Sequence, residues 1–130
     1  MISVQRARID PEAVLDSVRR EEAGAVVLFL GTVRADPGVG ALDYEVYKPM
    51  ALRKLVQIAG QAKVTFGVLD VSIVHRLGRI PVGADAVAIA CSSGHRGEAF
   101  AAAEWAMDEV KRIVPIWKAE ASRPRRKARR

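Results

Sequence analysis

Cysteine is almost missing from this chain. Cys91 stands alone among 130 residues, so no internal disulfide can form and a reducing cytoplasm is the expected home. Histidine is nearly as scarce. The two present, His75 and His95, share no Cys-x-x-Cys or His-x-x-x-His spacing, and no metal site is expected. Aromatic residues are only 5% of the chain, and no strand carries a pair placed to stack bases, which argues against RNA binding. No apolar run approaches the roughly 18 residues of a membrane span, and the N-terminus lacks the charged-then-apolar pattern of a secretory signal. Gly-x-Ser-x-Gly is absent, which removes the usual hydrolase elbow. Gly38 and Gly40 open no helix and precede no lysine, so neither a phosphate-binding loop nor a dinucleotide fingerprint exists.

What is present is globular: 50% hydrophobic and 28% charged residues, enough for one domain with a real core. The net charge of +6 is localised. Six of the 21 basic residues (Arg123, Arg125, Arg126, Lys127, Arg129 and Arg130) fall in the last eight positions, leaving 15 against 15 acids elsewhere. Like-charge blocks repel and seldom fold. Residues 1–122 are therefore expected to form a single domain, with 123–130 a basic, disordered tail.

Asp10-Pro11-Glu12 has the composition of a helix start, with Asp as N-cap and Pro at the first helical position, and Gly24 ends that element. Ala25 to Leu30 is continuously apolar and suits a strand covered on both faces, running on to Arg34. After a loop at Asp36–Gly40, Leu42 to Tyr47 alternates and is expected to pair antiparallel with it. Pro49 opens a helix with Leu52, Leu55, Val56, Ala59 and Ala62 on one face. Val68–His75 and Ala86–Cys91 are further strands, and Cys91 alternates with Val87 and Ile89 as an inert buried thiol. A last helix carries Phe100, Ala103, Met107, Val110 and Val114 until Pro115 stops it. The order α-β-β-α-β-β-α predicts an α+β sandwich, a largely antiparallel sheet with flanking amphipathic helices.

Chemistry concentrates in cations at element ends. Arg34 closes the first strand, His95-Arg96 sit between glycines at the start of the last helix, Lys111 lies on that helix and Lys118 beyond its proline. Arginine suits bidentate recognition of phosphate or carboxylate, and histidine near neutrality holds or transfers a proton. Lysines crowded by other cations are expected to have lowered pKa values, which makes a neutral amine available as base or nucleophile. Trp117 is expected to anchor the chain end on the core, and Glu104 and Asp108 either orient Lys111 or face water.

Taken in order, these blocks resemble a known family. Gly24 to Arg34, Tyr47 with Pro49-Met50-Ala51, His75-Arg76-Leu77-Gly78, Ser93 to Phe100, and Met107-Asp108 with Lys111, Pro115, Trp117-Lys118 and Glu120 together resemble the large, catalytic subunit of molybdopterin synthase. The resemblance implies an α/β-hammerhead fold and an enzyme of molybdenum cofactor biosynthesis. It implies transfer of sulfur to cyclic pyranopterin monophosphate, forming the dithiolene of molybdopterin. The donor is a small ubiquitin-like subunit with a thiocarboxylate on its C-terminal Gly-Gly, and the large subunits form a homodimer within a heterotetramer, without a metal or other cofactor. Carried over by position, Lys111 and Lys118 are the active-site lysines; Arg34, His95 and Arg96 contact the anionic substrate, and the backbone neighbours Thr32, Val33, Ala119 and Glu120 line the site. Thr32 departs from the lysine some relatives carry there. The rival reading is a non-catalytic anionic-ligand or RNA-binding α+β module, favoured by the basic tail.

Overall fold

A computed structural model describes residues 1–122; the basic run expected as a disordered tail lies outside the described residues. In chain order the elements are β1 (Ile2–Gln5), α1 (Pro11–Ser17), β2 (Ala25–Thr32), β3 (Val39–Val46), α2 (Lys48–Phe66), β4 (Asp70–Arg76), β5 (Gly78–Pro81), β6 (Asp85–Ser93), α3 (Arg96–Ile113) and β7 (Ile116–Ser122). The α+β class is as expected, with three helices and mostly antiparallel pairing. The single sheet is not. Strands β1-β4-β6-β2 form one sheet and β5-β3-β7 a second.

The expected pairing of the first two long strands does not occur. β2, apolar on both faces, pairs with the equally apolar β6 from Ala25↔Ser93 to Thr32↔Asp85, whereas β3 crosses to the other sheet. A strand that is hydrophobic throughout has to be covered on two sides, and only a position between helix layers supplies that. The alternating β3 needs one covered face and settles on the smaller sheet. Three short strands escaped the sequence reading. β1 pairs in parallel with β4, β5 is a four-residue turn-back, and β7 is seven residues that follow the helix-stopping proline.

The four-stranded sheet lies between helices. Val14 and Val18 of α1 cover Val74, Ala88 and Ala90 on one face, joined by Val26, Leu28 and Leu30. Leu55, Ile58 and Ala62 of α2 and Ala99, Ala102, Ala103, Ala106 and Val110 of α3 cover Val71, Ile73, Val87, Ile89 and Cys91 on the other. Alanines dominate the buried face of α3, which lets that helix sit close against both the sheet and α2. A third cluster, Val33, Ile80 and Ala86, forms where the two sheets meet. Local signals hold: the Asp10 side chain accepts from the Glu12 and Ala13 backbone N–H groups, and α2 runs through Gly60 to end on Gly67 at φ 67°. No described helix is long and apolar enough to cross a membrane.

β2 and the start of α3 touch at two glycines. A Cβ on Gly24 would collide with the Gly94 carbonyl oxygen, a backbone atom with little freedom to yield. Gly24→Ala is expected to destabilise the fold by about 1–3 kcal/mol, read as a lower urea midpoint at unchanged m-value.

Candidate functional site

Six elements (β2, β3, β4, β6, α3 and β7) enclose a cavity of about 760 Å³ where the two sheets and the end of α3 come together. That volume is within the range of small-molecule sites, roughly 300–1,000 Å³. From β2 and the loop after it come Phe29, Gly31, Thr32, Arg34 and Asp36; from β3, Leu42 and Tyr44. On α3 the spacing of Met107, Val110, Lys111 and Val114 is that of one helical face turned to the cavity. Ile116, Lys118 and Glu120 alternate along β7, so one face of that strand completes the wall.

Cations from three elements meet here. Arg34, Lys111 and Lys118 are all exposed, which places them at the rim, accompanied by the carboxylates of Asp36 and Glu120. Arg34 Nε is 3.2 Å from Asp36 Oδ1, a solvent-exposed pair worth well under about 1 kcal/mol, and an incoming anion can displace the carboxylate. The register of β7 against β3 sets Lys118 opposite Tyr44, and directly opposed residues project to the same face.

Beneath the rim the cavity turns apolar and ends on His75. This imidazole is only 4% exposed although it forms part of the cavity wall. Its Nδ1 lies 2.8 Å from the Arg76 carbonyl oxygen. A carbonyl can only accept, so Nδ1 carries the proton and Nε2 the lone pair. The Tyr44 ring meets His75 edge-on, with centroids 5.2 Å apart at 64°. Burial holds the imidazole below its ordinary pKa, partly offset by the bond to Arg76, and burial raises the Tyr44 phenol. Both groups are neutral at pH 7. Their inward positions were visible as the last alternation of Val71-Ile73-His75 and as the middle of β3, yet neither was selected from sequence as a site residue.

Of the residues chosen from sequence, Thr32, Arg34, Lys111, Lys118 and Glu120 converge on this cavity. Val33 does not reach it: its side chain is buried with Ile80 and Ala86, and its backbone bonds to Ala84 and Gly83. Ala119 occupies the opposite face of β7, opposite Asp43. His95 and Arg96 are exposed at the other end of α3, 16 residues from Lys111, which is about 24 Å along a helix axis. One chain does not gather all five cations. Trp117, expected on the core, is 61% exposed because the strand alternation turns it away from the wall. Glu104 and Asp108 face solvent.

Cys91 is fully buried on β6, its thiol pushed up to about 12 by burial and by the charge of Asp70. It cannot act as a nucleophile in that state. Among the described residues no three His, Cys, Asp or Glu side chains come together as metal ligands.

Comparison with known proteins fits the geometry. The model for the MoaE protein family matches residues 4–113. The molybdopterin synthase catalytic subunit of Thermoplasma volcanium is 40% identical over 120 residues, 90% of this chain and 88% of the relative. That of Bacillus subtilis is 39% identical over 120 residues, 90% of this chain and 76% of the relative. The crystal structure of molybdopterin synthase from Staphylococcus aureus superposes with a TM-score of 0.88 at 39% identity, covering 92% of this chain and 90% of the other.

His75 gives stability a pH dependence of known sign. Because its folded pKa lies below the ordinary 6.5, the unfolded chain takes up a proton that the folded chain resists. The contribution is fully present above pH 6.5 and is lost as pH falls through the folded value. The urea midpoint of the wild-type chain is expected to fall, as pH drops below 6.5, more steeply than that of His75→Gln, whose amide does not titrate.

Proposed function

The chain belongs to the MoaE protein family, and from that premise we propose that it is the sulfur-transferring catalytic subunit of a molybdopterin synthase. Its substrate is cyclic pyranopterin monophosphate and its product the dithiolene of molybdopterin, formed in the cytoplasm. The sulfur donor is the C-terminal thiocarboxylate of a small ubiquitin-like partner subunit, in a heterotetramer built on a homodimer of this chain. The supporting observation is the meeting of Arg34, Lys111 and Lys118 from three separate elements around one cavity. The comparisons lend nothing to the rival reading of a non-catalytic anionic-ligand or RNA-binding module.

Arg34 holds the cyclic phosphate at the rim, where a guanidinium can make two parallel hydrogen bonds to an oxyanion. The thiocarboxylate sulfur bonds to the pterin side chain, water then adds to the acyl carbon, and Lys111, on the last turn of α3, stabilises the oxyanion so formed; its collapse breaks the C–S bond, leaving sulfur on the pterin and a carboxylate on the small subunit. Lys118, on the short strand after Pro115, serves as base or transient covalent partner. The chemistry runs on these side chains without a resident cofactor.

His95 and Arg96 serve the cavity of a second copy. β2 is an edge strand, with Phe29 38% exposed. Its start adjoins Gly94 and its end, Thr32, borders the cavity. Antiparallel pairing of two β2 edges about a two-fold axis near Leu28 and Phe29 carries one copy's His95-Arg96 to the other's Thr32–Arg34. Two more cations then face the phosphate.

With thiocarboxylated small subunit and cyclic pyranopterin monophosphate, the wild-type chain is expected to yield dithiolene product. Lys118→Ala should lower turnover by about 10²-fold or more, while deletion of 123–130 leaves it nearly intact. Absence of product from wild type, despite binding of both components, overturns the assignment. Mixing Lys118→Ala chains with His95→Ala/Arg96→Ala chains should restore about a quarter of wild-type activity, since half the dimers are mixed and each of those holds one intact site. No recovery from demonstrated mixed dimers returns the His-Arg pair to its own chain.

A further inference from the structure

The reaction as derived uses the cations of the rim and leaves the floor of the cavity without a task. That floor has a distinctive chemistry. His75 is nearly inaccessible and neutral, its Nδ1–H is committed to the Arg76 carbonyl, and its Nε2 makes no hydrogen bond to any described residue. Among the described residues the sealed side-chain atoms without a partner are Arg76 Nε and Ser92 Oγ, so the His75 lone pair is open to the cavity rather than closed off in the core. Such a group persists in a cavity wall where a ligand can satisfy it. Around it Tyr44, Val87, Val110, Val114 and Ile116 give flat and apolar surface. The opening is cationic, the walls are apolar, and the only imidazole is at the bottom.

We propose that His75 is a specificity-determining residue whose Nε2 accepts a hydrogen bond from a ring N–H of the bound heterocycle, seating the pterin floor-first with its phosphate at the Arg34 rim. The inference rests on the substrate reading above and extends it to the orientation of the ring. An acceptor that cannot donate selects a ring edge presenting N–H over one presenting a lone pair. The wrong edge is rejected because it sets two lone pairs against each other and leaves neither with a donor. Tyr44 holds the imidazole by its edge contact and supplies the adjoining flat wall.

Two substitutions at one position separate binding from folding. Asparagine carries an amide nitrogen close to where histidine has Nδ1, so His75→Asn can keep the bond to Arg76 and loses the acceptor at the floor. Glutamine reaches to the Nε2 position, so His75→Gln presents an amide oxygen there. Each is assembled with the small subunit and titrated with cyclic pyranopterin monophosphate, with binding read from the pterin's own fluorescence and turnover measured separately. His75→Asn is expected to bind about tenfold or more weaker than wild type, with His75→Gln recovering most of the loss and thermal midpoints of the two variants alike. Wild-type affinity in His75→Asn, or equal losses in both variants, overturns the proposal. Wild-type binding without turnover sinks the sulfur-transfer assignment instead and leaves the role of His75 standing.

Discussion

Seven residues that follow the last helix lie in register along β3, and their pairing decides whether a site exists at all. Pro115 ends α3, and the chain then extends from Ile116↔Val46 to Ala121↔Ala41 instead of leaving the domain. That ladder supplies one wall of the cavity, fixes which β7 side chains face inward, and sets Lys118 across from Tyr44. A slip of one residue would send Trp117 and Ala119 into the cavity and Lys118 and Glu120 into solvent, because side chains alternate with a period of two. The β-bulge between Val39 and Ala41 lies at the far end of the pairing, away from the lysine.

The cavity's polarity follows from the layering that encloses it. The charge at the opening comes from the edges of this layering: Arg34 lies in the loop after β2, Lys111 in the last turn of α3 and Lys118 on the exposed strand β7. Deeper positions belong to strand and helix interiors, where only apolar or neutral groups are tolerated. His75 satisfies that condition by giving its one proton to the backbone. The helix that positions Lys111 also carries His95-Arg96 away from it. A site needing all five cations is thereby incomplete within one chain, and β2, an edge strand among the described residues, is where the proposed second copy would complete it.

Much of the molecule was legible in the amino-acid order. The Asp10-Pro11 start, the α2 helix and the continuously apolar β2 and β6 are all local patterns that formed where expected. Val56 of α2 and Phe100 of α3, expected on the covered faces, are instead 58% and 60% exposed, and Ala51 and Ile58 of α2 and Ala99, Ala102 and Ala106 of α3 are buried. The partner of β2 was not local. Nothing in Leu42–Tyr47 distinguishes pairing with the preceding strand from pairing with residues 116–122, because that choice depends on which faces other elements leave uncovered. β5 and β7 are short and rich in glycine, proline or charge, so they carry little periodicity of their own. The three cations that converge were found because they stand at element ends. Val33 and Ala119, chosen as backbone neighbours of the site, turn their side chains elsewhere, and His75 was passed over because a histidine inside an apolar strand looks like core until a cavity is seen beside it.

The lone thiol has a meaning that its burial alone does not convey. In the proposed reaction the chain works beside a thiocarboxylate that a free thiolate could intercept, forming a thioester and releasing hydrosulfide. Burial and the charge of Asp70 push the Cys91 thiol up to about 12, so it stays protonated at neutral pH, and it is closed off inside β6. The protein thus keeps its own sulfur chemically silent, so that the atom being delivered has no sink within the chain that handles it.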